Sequence, residues 1–264
     1  MIKRRRRKGV KKGKLSHNWL SKDKKEKILR QFAFNATATT AALTLGISRP
    51  CANRWFNHFR EKICEHTGVA PRFSGEVEID VLFFGGMSAK ERKWWKQRTE
   101  AYGAPIDSFY KRMKAVKDKK ASEEGKEPAK KRLKRKVIAI MQRGGRVWCQ
   151  PIEDQKANTL LPIIYMVVEQ DSTIYTDKWR SFSKLAGDKG YKYKPVNHSE
   201  WFVGEDGSHI NSVEQFGSST KRRLKKFNGI HKRQFILHLK ESEFRYNFRD
   251  DPETLLAELK RIIY

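Results

Sequence analysis

The run VEIDVLFFGG, residues 77–86, limits the possible folds more than any other segment of this chain. It has the apolar, β-branched and aromatic composition of a strand, yet it contains one carboxylate, Asp80. An ionised carboxylate between Ile79 and Val81 is costly to bury unless it is paired or binds a metal. The alternative is an Asp on the solvent side of a half-exposed strand. The run therefore predicts a strand that carries either a functional carboxylate or an ordinary exposed one.

The segments that follow alternate between strand-like and helix-like patterns. KVIAIMQRGGRVWCQPI predicts two strands around a Gly-Gly turn, LLPIIYMVVEQ a buried helix, and STIYT a strand that ends at Asp177. KWRSFSKLAG then predicts a helix, YKYKPVN a further strand, and the chain from about Asn211 onward a set of helices. This order favours an α/β domain with a mixed sheet. The Gly- and Pro-rich residues 68–76 mark its boundary with the preceding part of the chain.

The preceding residues, 15–67, predict a small all-helical domain. A Thr- and Ala-rich helix runs into Gly46, and Ser48 can cap the next helix. Helical spacing places four polar residues on one face of that helix: Arg49, Asn53, Asn57 and Arg60. Two helices joined by a Gly-containing turn, the second presenting Arg and Asn, are typical of a helix-turn-helix DNA-binding domain. Small trihelical domains that bind no DNA share this pattern.

The charge of the chain points to a polyanionic partner. Lys and Arg number 58 against 30 Asp and Glu, which favours nucleic acid. Residues 1–14 carry nine basic and no acidic residues and predict a disordered arm that binds phosphates, or alternatively a solubilising or localisation tail. The long segment 88–135 predicts a basic, partly disordered insertion that contacts the DNA backbone or is a tolerated surface loop.

Several classes of protein are excluded at this stage. The longest apolar run, 160–168, has nine residues, short of the ~20 that cross a bilayer. The three cysteines form no CxxC pair, so neither a disulfide framework nor a zinc site is expected. We therefore expect a soluble intracellular protein that has no membrane partner and no small-molecule substrate.

The segment NSVEQFGSSTKRRLKKF, 211–227, predicts an amphipathic helix. Its buried stripe consists of Val213, Phe216, Thr220, Leu224 and Phe227. Its opposite face carries Asn211, Glu214, Ser218, Lys221 and Lys225. An acid, an amide and two cations thus share one face, and the small Ser218 leaves room between them. An ordinary surface helix with Glu214 in salt bridges is the alternative.

Asp80, Asp177 and Glu214 together can bind a pair of divalent ions. Two such ions activate the attacking oxygen and stabilise the leaving oxygen in phosphoryl displacement. Lys221 and the arginines after it, Arg222 and Arg223, would hold the substrate phosphate or adjacent DNA. An Asp at a strand end is also a common helix cap, so Asp177 alone would be a weak signal.

Four stretches of sequence resemble a known family. IDVLFFGG, STIYTDKWRSF, YKPVNHSEWFVGEDGSHINSVEQFGSSTKRRLKKFNGIHK and LKESEFRYNFR look like the transposases of the ISXO-type and Merlin-type insertion sequences. That group belongs to the DDE transposases, whose catalytic domain has the ribonuclease-H-like fold. The resemblance implies that Asp80, Asp177 and Glu214 are a triad that binds two Mg²⁺ ions, with Mn²⁺ as a substitute. Lys221 matches the downstream basic residue of the family, and Asn211 and His198 match polar positions beside the site.

The resemblance also has departures and alternatives. Many relatives carry an amino-terminal zinc ribbon, whereas this chain lacks the cysteine pairs, so recognition of DNA ends is expected from the helix-turn-helix-like region. We expect His198 either to orient a water or contact the scissile DNA, or to donate a hydrogen bond to a loop carbonyl. His209, just before the helix, is read as a loop residue.

We therefore expect a DNA transposase that binds the terminal inverted repeats of an insertion sequence and catalyses strand cleavage and strand transfer. Its domains are expected at 1–14 (arm), 15–67 (helix-turn-helix-like), 76–249 (ribonuclease-H-like, with the insertion at 88–135) and 250–264 (C-terminal helix). The resemblance implies double-stranded DNA as partner and a homodimer or higher assembly on it. The expected location is the nucleoid in the cytoplasm, or the nucleus of a eukaryotic host.

Three other functions remain open. The first is a catalytically idle DNA-binding repressor or domesticated derivative. The second is a metal-dependent nuclease that cuts but does not join. The third is an RNA-binding protein, which would fit the charge but leave the three acids unexplained.

Overall fold

A computed structural model gives the structure of residues 20–85, 134–178, 180–187, 190–196 and 209–264. The predicted arm at 1–14, His198 and nearly all of the predicted insertion lie outside the described residues. The chain divides into two compact units, the first formed by Met1–Val69 with Leu237–Tyr264 and the second by Ala70–Ile236. Among the helices described, none combines the length and the apolar character that crossing a membrane requires.

The elements follow one another in the order helix, sheet, helix. The chain begins with α1 (Lys22–Ala33), α2 (Ala38–Leu45) and α3 (Arg49–His66). It continues with β1 (Glu76–Phe84), β2 (Arg135–Gln142), β3 (Val147–Ile152), α4 (Ala157–Val167), β4 (Thr173–Asp177) and β5 (Lys192–Val196). It ends with α5 (Asn211–Lys225), α6 (Phe235–Asn247) and α7 (Pro252–Ile263). Two short 3₁₀ helices, Ser183–Gly187 and Lys232–Gln234, lie before β5 and before α6.

The first unit combines α1, α2 and α3 with α7 and most of α6. Gly46 ends α2 with φ of 60°, a left-handed conformation that favours glycine. Ser48 then caps α3, its hydroxyl accepting a hydrogen bond from the Cys51 amide at 3.3 Å, as the sequence predicts. The core is apolar and draws on both ends of the chain, including Phe32, Phe59, Phe244 and Leu259. The C-terminal helices therefore pack with the amino-terminal ones, a grouping that the expected boundaries at 249 and 250 did not include.

Arg60, one of the four residues predicted on the DNA-reading face of α3, is buried. The prediction that this residue is exposed to DNA is therefore wrong. The side chain of Arg60 is 7% exposed, and its Nε donates to Glu241 Oε2 at 2.7 Å. Arg245 donates to the other oxygen of the same carboxylate at 2.9 Å. Arg60 also donates to Asn57 Oδ1 at 3.1 Å. The reason lies in the tertiary structure. Helical periodicity assigns Arg60 to the polar face of α3, but α6 covers that part of the face.

The second unit is built on a five-stranded mixed sheet of order β3-β2-β1-β4-β5. β1, β2 and β3 pair antiparallel, whereas β4 is parallel to β1 and β5 is parallel to β4. Successive residues of β1 alternate between the two faces of the sheet. Val77, Ile79 and Val81 belong to the apolar core that contains the α4 residues Leu160 and Ile164. The other face of β1 lies against α5.

The predicted order of the second unit is confirmed except at one segment. The hairpin, the helix α4, the strands β4 and β5 and the helix from Asn211 all occur as expected. The helix predicted at 178–187 is wrong: the described residues there form only the 3₁₀ helix Ser183–Gly187. The Ser183 hydroxyl donates to the Arg180 carbonyl at 2.7 Å, a local bond of the kind that competes with helical ones.

Candidate active site at the meeting of β1, β4 and α5

Two of the three predicted acids come together through strand pairing. β1 and β4 are parallel, and the last paired positions are Ile79 with Thr176. Asp80 and Asp177 each follow these positions by one residue, so they lie side by side on neighbouring strands. Adjacent strands are about 4.8 Å apart, which brings two carboxylates into the same small region.

The third predicted acid comes from α5, which approaches β1 closely at a glycine. An added Cβ at Gly217 would lie 2.6 Å from Leu82 Cδ2, so the helix packs on the strand at a distance that only glycine allows without rearrangement. Val213, Phe216 and Thr220 are buried, as predicted for the inner stripe, whereas Leu224 and Phe227 are only half-buried. The opposite face is exposed and carries all five predicted residues: Asn211, Glu214, Ser218, Lys221 and Lys225.

The electrostatics of Asp80 link the predicted residues directly. The pKa of Asp80 is raised to about 6, first because burial disfavours its ionised form. The negative charges of Glu214 and Asp177 raise this pKa further. The Val81 amide, which donates to Asp80 Oδ1 at 2.6 Å, and the positive charge of Lys221 lower it. Asp177, Glu214 and Lys221 therefore lie close enough to Asp80 to act on its charge.

The donor chemistry of this cluster suits a hard divalent cation. Carboxylate oxygens, which all three acids supply, are the ligands that Mg²⁺ and Mn²⁺ prefer. As the side chains are placed, the described residues contain no group of three His, Cys, Asp or Glu that could hold a metal ion. The fit to a cation therefore rests on two features. All three residues carry carboxylates, and the negative charges of Glu214 and Asp177 raise the pKa of Asp80.

The other predicted residues of α5 lie near its ends or its flank. Asn211 is the first residue of the helix, and Lys225 is its last. Arg222 is exposed, whereas Arg223 is partly buried, with its guanidinium 5.8 Å from the centre of the Phe227 ring. The guanidinium nitrogens of Arg223 are buried, which corrects its predicted place on the DNA-binding surface, whereas Arg222 and Lys225 are exposed toward the C-terminal end of α5.

The remaining predicted DNA contacts lie on the first unit. Arg49 and Asn53 are exposed near the start of α3, and Asn57 is partly buried. Because Arg60 is bonded inside the unit, the exposed residues of the predicted DNA-reading face are Arg49 and Asn53, near the amino-terminal end of α3. Arg54 adds another exposed cation near this end.

Sequence reasoning missed a second carboxylate on β1. Glu78 is fully buried, and its oxygens accept hydrogen bonds from the amides of Ser212 and Val213 and from the Arg143 side chain. The signal was present in the sequence, because Glu76, Glu78 and Asp80 alternate with apolar residues and therefore share one face of the strand. That pattern identifies a polar face but not which of its carboxylates is covered.

Comparisons with known proteins identify the family that most of the chain matches. The family model described as the ISXO2-like transposase domain matches residues 72–247, which include the whole sheet, α4, α5 and α6. A protein of Haemophilus influenzae (strain ATCC 51907 / DSM 11121 / KW20 / Rd), named "Uncharacterized transposase-like protein", is 36% identical over 118 residues. The aligned region is 45% of this chain and 94% of that relative. All three predicted acids lie inside the range that the family model matches.

Proposed function

The chain belongs to the ISXO2-like transposase family, and we propose on this basis that it is a DNA transposase that cuts the ends of an insertion sequence and joins them to target DNA. The observation that carries the proposal is that Asp80 and Asp177 lie on neighbouring positions of the paired strands β1 and β4, where the charges of Asp177, Glu214 and Lys221 act on the pKa of Asp80. Perturbed ionisation caused by burial and specific charged neighbours is typical of functional carboxylates. The chain supplies these groups from two adjacent strands and one helix.

We assign the second unit to the ribonuclease-H-like fold. Three antiparallel strands followed by two parallel ones, in the order β3-β2-β1-β4-β5, support this assignment. The distribution of the acids supports it as well, with one on the central strand β1, one at the end of β4 and one on α5.

In the proposed reaction, Asp80, Asp177 and Glu214 would hold two Mg²⁺ ions. Bound there, these ions would supply activation of the attacking oxygen and stabilisation of the leaving oxygen in phosphodiester cleavage and strand transfer. Lys221 binds the phosphate next to the scissile one, and Arg222 and Lys225 hold the adjoining duplex through its backbone. Asn211 donates or accepts hydrogen bonds at the same exposed face, beside Glu214.

DNA binding in this proposal is divided between the two units. The exposed start of α3, with Arg49 and Asn53, reads the terminal inverted repeat, and the basic surface of α5 contacts phosphates irrespective of sequence. Cleavage of both ends of an element in one event calls for a homodimer or larger assembly on the DNA. The proposed site of action is the DNA of the host, at the nucleoid in a bacterium.

The test is a cleavage and joining assay with labelled duplexes taken from the DNA that flanks the gene. Protein is incubated with Mg²⁺ or Mn²⁺, with EDTA as a control, and products are separated on denaturing gels. The expected result is nicking at a defined end followed by joined products. Asp177→Asn should abolish both while DNA affinity stays within about twofold, since it removes a ligand but no DNA contact.

Asp171→Asn is the matched control for that substitution. Asp171 is an exposed residue at the turn before β4 with φ of 65°, a conformation that Asn adopts readily. It makes the same chemical change six positions before Asp177 and should leave cleavage at the wild-type rate. Equal activity of wild type and Asp177→Asn would refute the assignment of the site.

The alternatives give different products in the same assay. Specific binding without any cleavage would favour an idle DNA-binding derivative. Cleavage without joined products would favour a nuclease.

A further inference from the structure

Glu78 caps the helix that carries Glu214, although the two residues lie on different elements. The first amides of a helix have no partner within it, and Ile210, at the start of α5, provides no side-chain cap. Glu78 Oε2 instead accepts the Ser212 and Val213 amides, each at 3.0 Å, across 134 and 135 residues of sequence. A negative charge at this end also suits the helix dipole. The carboxylate of β1 therefore fixes the first turn of α5 on the sheet.

Arg143 completes the attachment from the other side of Glu78. Its Nε donates to Glu78 Oε1 at 3.0 Å, and its terminal nitrogen donates to the His209 carbonyl at 2.7 Å, just before α5 begins. Its guanidinium lies 3.7 Å from the centre of the Tyr175 ring on β4. A planar group with several fixed donors can make these contacts together, whereas a lysine cannot.

The network reaches each of the three elements that carry a proposed metal ligand. Glu78 precedes Asp80 by two residues on β1, and Tyr175 precedes Asp177 by two residues on β4. The capped turn of α5 begins three residues before Glu214. On each element the groups of the network thus lie two or three residues from the proposed metal ligand, and none of these groups is itself a proposed ligand.

We propose that Glu78, together with Arg143, is a positioning residue that holds α5 against β1 and β4 and so sets the separation of Glu214 from Asp80 and Asp177. This inference rests on the proposed function, because the separation matters only if the three acids act together. Buried groups that orient metal ligands are commonly worth 10–100-fold in metal affinity or activity when they are replaced.

Glu78→Gln is the first test, because it keeps the size of the side chain and removes its charge. If its amide oxygen takes the place of Oε2 it can accept both backbone bonds, but its NH₂ group then faces the Arg143 donor; in the other orientation the NH₂ group faces the donors of α5. We expect the cleavage rate at saturating Mn²⁺ to fall about 10–100-fold, and the Mn²⁺ concentration for half-maximal rate to rise about tenfold. DNA affinity should stay within about twofold of wild type.

The matched control is Asp154→Asn, which removes the charge of a carboxylate that accepts hydrogen bonds at the start of another helix of the same unit. Asp154 accepts the Lys156 amide at 3.0 Å and the Thr159 hydroxyl at 2.6 Å, at the start of α4. Because α4 carries no proposed ligand, this variant should keep the wild-type rate and Mn²⁺ dependence. A loss as large as that of Glu78→Gln, with both variants folded, would overturn the inference.

A second variant and a second readout keep the inference testable apart from activity. Arg143→Lys retains the charge beside Glu78 and should lower the rate and raise the Mn²⁺ midpoint in the same way. Amide hydrogen exchange at Ser212 and Val213 should be at least tenfold faster in Glu78→Gln than in wild type.

The two proposals fail in different ways. If wild type cleaves and Glu78→Gln cleaves equally well at the same Mn²⁺ midpoint, the positioning role is wrong. If wild type does not cleave any end tested, the proposed function is in doubt. The positioning role is then decided by Mn²⁺ affinity of the DNA-free protein and by exchange at the first turn of α5. Unchanged values for Glu78→Gln in both would reject it, and weaker Mn²⁺ binding with faster exchange would support it.

Discussion

Substitution of Gly217 by alanine tests how closely α5 must approach the sheet. Alanine is favoured over glycine in a helix interior by about 1 kcal/mol. Here, however, its Cβ would lie 2.6 Å from Leu82 Cδ2 and 3.3 Å from Cδ1. Leu82 is only 4% exposed, so its side chain has little space to move aside. Overpacking of this kind costs about 1–3 kcal/mol, and the net effect should be a destabilisation of about 1 kcal/mol.

The decisive measurement repeats Gly217→Ala in a Leu82→Ala background. Leu82→Ala alone should lower the free energy of unfolding by about 2–5 kcal/mol, and it removes all three atoms that the new Cβ would meet. Gly217→Ala should then become stabilising by about 1 kcal/mol, its ordinary helix propensity. Urea unfolding followed by circular dichroism gives all four free energies. If Gly217→Ala is stabilising by the same amount in both backgrounds, the close contact between α5 and β1 is refuted.

Three further predictions concern other parts of the molecule. Glu241→Gln should lower the free energy of unfolding of the first unit by roughly 3–5 kcal/mol, because it leaves buried guanidinium groups without their carboxylate, and urea unfolding will show whether it does. Arg49→Ala with Asn53→Ala should weaken binding to element ends more than to random DNA in a titration, and equal losses would remove α3 as the reading helix. Lys221→Met should lower the single-turnover cleavage rate about 10–100-fold with little change in DNA affinity, whereas unchanged cleavage would exclude a role at the scissile region.

The local order of elements could be read from the chain because each element depends on its own periodicity. Period-two alternation in β1 and the helical stripe of α5 identify the apolar face of each without reference to a partner. Ser48 and Gly46 act through bonds within a few residues, so their roles as helix cap and helix terminator were also predictable. The segment at 178–187 differs because short-range bonds of Ser183 compete with the helix that composition favours.

The composition of the candidate site was predictable, whereas its assembly was not. The chemical types of Asp80, Asp177 and Glu214 indicate a cation site from the sequence and from its resemblance to transposases. That Asp80 and Asp177 are neighbours depends on the parallel pairing of β1 with β4, which no local pattern encodes. That Glu78 is wholly buried depends on α5 covering it.

What the sequence determined by itself is therefore the class of each element and the chemistry that each face presents. Tertiary structure decided which polar groups are buried and what they bind, because burial requires a partner that is distant along the chain. Arg60 illustrates this, since helical spacing puts it on a polar face and α6 encloses it with Glu241 at a separation of 181 residues. Glu78 is the counterpart in the second unit: an alternating acid in a strand becomes the cap of a helix 134 residues away.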